Sequence, residues 1–180
     1  MLKQVLVLFM GLLMVVAGVW GVDSGAQTEL SNDNFLRIHI RANSNSETDQ
    51  NVKYLVKDAI VSYLTPKLAY VSSKDEALKI VEQNKDNVSE VANQVLANNG
   101  FVYQASTSVK KEDFPTRDYD GVVLPSGEYD SVIVSLGNGT GNNWWCVVYP
   151  PLCFVNGENG DEEIVYTSKL WGIIKSIFGG

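Results

Sequence analysis

Side chains able to do chemistry are sparse in this chain, and the rarest of them fall in two short stretches. The run Asn142-Asn143-Trp144-Trp145-Cys146-Val147-Val148-Tyr149-Pro150-Pro151-Leu152-Cys153-Phe154 holds both cysteines and two of the four Trp. Two thiols this close can pair, attack a substrate or ligate a metal. Attack needs a base, and the single histidine, His39, is so distant in sequence that the fold would have to assemble a Cys/His dyad. A structural zinc site usually wants four Cys/His ligands, and the chain has three such residues, so no metal site is expected. If Cys146 and Cys153 are oxidised, the short loop they close contributes roughly 2.5 kcal/mol. Pro150-Pro151 fixes φ and removes two backbone donors, which predicts a strand, a turn and a return with the thiols facing each other.

The second stretch is Phe35-Leu36-Arg37-Ile38-His39-Ile40-Arg41. Strict alternation puts Leu36, Ile38 and Ile40 on one face of a half-buried strand and Arg37, His39 and Arg41 on the other, open face. A cationic row in an acidic protein either pairs with acidic side chains of neighbouring elements or receives an anion from a partner. Trp144 and Trp145 carry the same two readings, a core seam or a contact surface.

The elements around these stretches set their context. Val5 to Trp20 is apolar with Lys3 before it, the pattern of an export signal. Its length lies between a cleaved leader and a spanning helix, so residues 1–26 are a signal peptide or a membrane anchor, with Ser24-Gly25-Ala26 at the spacing of a cleavage site. Export raises the expectation that the thiols pair. Residues 27–34 read as a linker, and a single exported domain is expected over 35–180. The net charge of −7 excludes a nucleic-acid ligand and anionic lipid heads; the membrane enters only through the N-terminal segment.

After the strand, a turn dense in cap residues leads to a helix from Gln50 to Leu64, capped by Thr48 or Asp49 and ended by Pro66, with Lys53 on its far side. A second helix opens at the capping box Ser73-Lys74-Asp75-Glu76 and closes at Asn98-Asn99-Gly100, with a break expected around Glu82 to Asn87. Strands follow over Phe101–Val109 and Glu128–Leu136, with a loop over Phe114–Gly121 between them. Gly137-Asn138-Gly139-Thr140-Gly141 is expected to be a hairpin connection rather than a phosphate cradle, because no helix follows it. Ser168 to Phe178 is an amphipathic segment that suits a last helix. The fold class is α+β: a mostly antiparallel sheet with a helical middle segment packed on one face, after an N-terminal export signal.

No paired carboxylates, serine-nucleophile motif or metal spacing emerges, and no cofactor is implied. The combination Leu36-Arg37-Ile38-His39-Ile40-Arg41-Ala42-Asn43-Ser44, Gln50-Asn51-Val52-Lys53, Phe114-Pro115-Thr116-Arg117, Leu124-Pro125-Ser126-Gly127-Glu128-Tyr129 and the Trp-Trp-Cys to Pro-Pro-Leu-Cys block resembles the stage II sporulation protein R family. That resemblance implies a non-enzymatic signal, made in the forespore and secreted into the intermembrane space, or tethered there if the leader is uncut. Its implied partner is a membrane-embedded aspartic protease of the mother cell, which then processes the sigma-E precursor. Arg37, His39, Arg41, Asn43, Trp144 and Trp145 are the candidate partner contacts. A thiol-dependent wall enzyme using Cys146 or Cys153 with His39, and a glycan-binding module using the Trp rings, are the alternatives.

Overall fold

A computed structural model describes residues 31–119 and 122–151. The leader, the return after Pro151 with Cys153, and the amphipathic segment 168–178 lie outside the described residues. The alternating strand β1 (Leu36–Arg41) is central. It runs parallel to β5 (Gly127–Leu136) on one side and antiparallel to β6 (Asn143–Tyr149) on the other, and β2 (Ala105–Phe114) pairs antiparallel with β5, giving the order β2-β5-β1-β6. A separate two-stranded hairpin, β3 (Arg117–Tyr119) and β4 (Val122–Leu124), follows β2. The fold is α+β, with two helices, α1 (Glu47–Leu68) and α2 (Lys74–Asn98), laid on one face of a mostly antiparallel sheet.

That face is the main core. Ile38 and Ile40 of β1, Val132 and Val134 of β5, and Cys146 and Val148 of β6 pack against Val56, Ile60, Val81 and Val88 of the helices. Burying each such aliphatic side chain contributes about 1.5–3 kcal/mol, so this layer carries most of the stability.

The first helix runs longer than the periodicity predicts, and the second keeps its expected ends but is unbroken. Ser46, not Thr48 or Asp49, caps α1: its Oγ accepts from the Asp49 N–H at 3.2 Å. Pro66 does not end the helix but sits in its final turn, where the buried Leu68 keeps the chain against the core. The polar run Glu82 to Asn87 does not break α2. Asn84 instead joins the helices, donating to the Ile80 carbonyl at 2.8 Å and accepting from the Tyr63 hydroxyl at 2.9 Å, while Val81 and Val88 continue the apolar stripe. Ser73 caps α2 as its capping box predicts, and Glu76 returns a bond to the Ser72 N–H.

The strands also shift. β2 begins at Ala105 and continues through the charged Lys110-Lys111-Glu112-Asp113, because β5 offers a ladder partner to every one of those residues. Part of the expected loop 114–121 is strand β3. The glycine-rich segment is not a hairpin: β5 and β6 both pair with β1, so residues 137–142 cross the end of the central strand. A φ of 55° at Gly137 permits that crossing, and a Cβ there would collide with the Asn43 amide. Ahead of the sheet, Asn32–Asn34 of the expected linker forms a single 3-10 turn capped by Ser31.

Candidate functional site

The second face of the sheet departs most from the alternation argument. Arg37 is 0% and His39 1% exposed, so the expected open face is a second core. Periodicity fixes the side on which a residue lies but not what covers that side. Here the cover comes from the far end of β2 and the strands beyond it. Phe114 lies 5.3 Å from the His39 ring and 4.9 Å from the Trp145 ring, centroid to centroid. β2 and β6 are opposite edges of the sheet, so their residues meet only because the sheet curls over this face. Phe35, Leu124, Tyr129 and Val147 complete the cluster.

Within it, the Arg37 guanidinium carbon stands 4.2 Å from the Phe114 centroid, 4.7 Å from Tyr129 and 5.9 Å from Tyr119. Its Nη2 donates to the Tyr119 hydroxyl at 3.0 Å, while Nε and Nη1 have no hydrogen-bond partner among the described residues. Burial raises the Tyr129 phenol, against the opposing pull of the Arg37 charge. His39 stacks on Trp145 at 4.7 Å, and its Nε2 meets Glu112 Oε2 at 2.9 Å. Burial holds the imidazole down at about 4, outweighing the hydrogen bond and the charge of Glu112. The ring is therefore neutral at pH 7, with Nε2–H the donor and Nδ1 a lone pair without a partner among the described residues. Arg41 closes the row by pairing with the other oxygen of Glu112 and is the one of the three that is partly exposed. The Arg117 guanidinium carbon, from β3, lies over the Trp145 ring, 5.5 Å from its centroid.

A different polar cluster forms beyond the carboxyl end of β1. Asp49, 6% exposed, accepts from Asn43 Nδ2 at 2.9 Å, the Ser44 hydroxyl at 2.5 Å and the Tyr103 hydroxyl at 2.6 Å. Burial alone would raise its carboxyl, but bonds from Ser44, Tyr103, Asn43 and Ser46 more than offset this and hold it below the usual carboxylate range. The same contact, with burial as the larger cause, drives the Tyr103 phenol up. Lys53, expected on the outer side of its helix, is buried here; its Nζ donates to Gln50 Oε1 at 2.6 Å and to the Asn142 carbonyl at 3.1 Å. Asn43 Oδ1 accepts the Asn138 N–H at 2.9 Å and Asn45 Oδ1 accepts that of Asn142 at 2.7 Å, which ties down the crossing loop.

The six predicted contacts thus separate. Arg37, His39, Arg41 and Trp145 share the second face, Asn43 belongs to the loop cluster, and Trp144 points to the opposite side, packed against the helical core with Lys57 Nζ 5.9 Å from its ring. Cys146 is buried on the helical face and is not a free thiol, and its register partner on β1 is Ile38. His39 faces the other way, so Cys146 and His39 do not form a dyad. Cys153 lies outside the described residues. Glu112, Phe114, Tyr119, Tyr129, Asp49, Lys53 and Tyr103 are not singled out by their spacing; the one available signal is the alternation of Lys110, Glu112 and Phe114 continuing past the expected strand end.

Residues 32–159, which include both clusters, match the family model for stage II sporulation protein R. The chain belongs to the stage II sporulation protein R family. It is 36% identical over 129 residues to stage II sporulation protein R of Bacillus subtilis (strain 168), covering 72% of this chain and 58% of that relative. The chain therefore spans under two thirds of its relative's length. No solved structure matches the chain. Every segment that carries the resemblance, from Leu36 to Phe154, falls inside the region matched to the stage II sporulation protein R family.

Proposed function

We propose that this protein is an exported intercellular signal of sporulation that activates a membrane-embedded aspartic protease of the mother cell and so triggers processing of the sigma-E precursor. The observation that carries this reading is the family match over residues 32–159, which brings a sporulation role. In this reading the signal is made in the forespore, crosses into the intermembrane space behind its apolar leader and acts by binding rather than by catalysis. A disulfide between Cys146 and Cys153 then serves stability in that oxidising space. An activator of this kind needs only a higher affinity for the active arrangement of its target than for the inactive one. The edge of the second face supplies suitable contact chemistry: Trp145 with Arg41 and Arg117, aromatic and guanidinium groups of the kind that dominate interface energies.

The test is precursor processing in cells that hold the protease and the precursor, with and without this chain. Processing is expected to require the chain, to survive Cys146→Ser/Cys153→Ser wherever the protein still folds, and to fall about tenfold in Arg41→Ala/Trp145→Ala, a change of about 1.4 kcal/mol in affinity. Circular dichroism of the variants separates lost contact from lost fold. Processing that proceeds equally without the chain overturns the reading.

A further inference from the structure

Arg37 is fully buried, permanently charged and short of acceptors. A guanidinium does not neutralise itself by losing a proton, so burial leaves its charge in place. Three aromatic rings offset part of the lost hydration, each face-on contact contributing modestly. They accept no conventional hydrogen bonds, however, and Nε and Nη1 have no partner among the described residues. Arg37 forms no ion pair among the described residues; Glu112, the carboxylate that reaches β1 on this face, is engaged by His39 and Arg41. The Tyr129 hydroxyl donates to the Pro125 carbonyl at 2.7 Å and offers the guanidinium a second, neutral phenol oxygen rather than an anion. His39 Nδ1, also without a partner among the described residues, presents a lone pair and adds no donor. What Arg37 lacks is an anionic acceptor, and a carboxylate is the acceptor that fits a guanidinium best.

The route to it runs past Tyr119. This residue sits on the β3–β4 hairpin, outside the main sheet, with its ring half-buried, and its neutral hydroxyl accepts from Arg37 Nη2 at 3.0 Å. A carboxylate in its place would form the stronger, charge-assisted bond and would reach the free donors as well. Arg117, on the same short strand as Tyr119, adds a positive charge beside this route, whereas the charge of Arg41 is offset by Glu112.

We propose that Arg37 is the anchor of a carboxylate-binding site, closed in the free protein by Tyr119, whose ligand displaces the Tyr119 hydroxyl from the guanidinium. The carboxylate is either a free small acid or an acidic side chain carried by another protein, and the assignment does not depend on the signalling role.

The experiment follows the Arg37 side-chain Nε–H resonance in the 15N-labelled full chain. Three titrants are compared at matched ionic strength: sodium acetate, an end-blocked tripeptide with a central Glu, and sodium chloride. A saturable shift with acetate or peptide, and none with chloride, is expected. A response to acetate alone identifies a small free acid, and a response to the peptide identifies a protein-borne one. Tyr119→Phe, which removes the competing acceptor but keeps the ring, should tighten the response several-fold. Arg37→Met should abolish the acetate-induced change in Trp fluorescence seen for the unaltered chain. No shift with either carboxylate, or an equal shift with chloride, overturns the assignment. If a variant fails to fold, the titration of the unaltered chain decides the matter alone.

Discussion

Asp49 and Arg37 are both buried charges on the elements that open the fold, and their surroundings are opposite. Asp49 is encircled by donors from Asn43, Ser44 and Tyr103, and its neighbour Lys53 has two oxygen acceptors. Arg37 is encircled by rings, and among the described residues its Nε and Nη1 have no acceptor. The first arrangement holds loops in place and leaves nothing for a ligand to add. The second leaves donors unused. A buried charge is therefore informative about binding only after its partners have been counted, because burial alone describes both regions equally well.

Substitutions can break this contrast, beginning with the hub. Asp49→Ala strands several buried donors at once and is expected to cost about 4 kcal/mol, read as a lowered urea midpoint. Wild-type unfolding at the same pH is the reference, and a loss near zero would mean that the loops hold without the carboxylate.

Acid separates the two regions by pH window. The folded-state value of His39 is about 4 against an ordinary 6.5, so the unfolded chain takes up the proton first. Stability is whole above pH 6.5 and falls as pH drops towards 4, by roughly 3 kcal/mol at the limit. His39→Gln, which retains a donor for Glu112, should flatten that slope. Asp49 responds to acid in the same direction but in a lower window: its carboxyl is depressed below 3.8, so its contribution is intact above that pH and is lost only as pH falls through the folded value. Denaturation midpoints measured across this range should therefore show two successive declines, with the upper one absent from His39→Gln.

The smallest effects sharpen the comparison most. Lys53→Met removes a cation whose acceptors stay behind, and should cost about 2 kcal/mol. Arg37→Met removes a cation that leaves only neutral tyrosine hydroxyls behind among the described residues and places an apolar side chain among three rings, and should be within about 1 kcal/mol of neutral or stabilising. Opposite or unequal responses to the same replacement, measured by thermal unfolding, would express the difference in partners directly. Equal losses would show that the aromatic cage satisfies Arg37 as well as oxygen satisfies Lys53.

Much of this architecture is legible in the residues themselves. The alternation in Leu36–Arg41 locates the central strand, and the stripes through Val56–Ile60 and Val81–Val88 locate the helical layer, because a buried face imposes its period on the local sequence. Ser73 and Glu76 mark a helix start through bonds made within one turn. What stays hidden depends on long-range pairing. Nothing near Arg37 announces that Phe114, Tyr119 and Tyr129 will cover it, and nothing in Gly137–Gly141 distinguishes a hairpin from a loop that crosses a strand already inserted between its two arms. Lys53 has the side chain of a solvent-facing helical position; a carbonyl at Asn142 makes it an interior one.

The position of β1 also governs when the domain can form. Its ladder partners are β5 and β6, drawn from Gly127–Leu136 and Asn143–Tyr149, so the strand made first waits for the strands made last. A growing chain holds Leu36, Ile38 and Ile40 without a sheet to join until nearly all of the described residues have been synthesised, and contacts of such long sequence separation close slowly. Truncation before Gly127 removes both neighbours and leaves the helices no sheet to pack on. For a protein proposed to cross a membrane before acting, this delay keeps the chain threadable during passage and reserves folding for the far side.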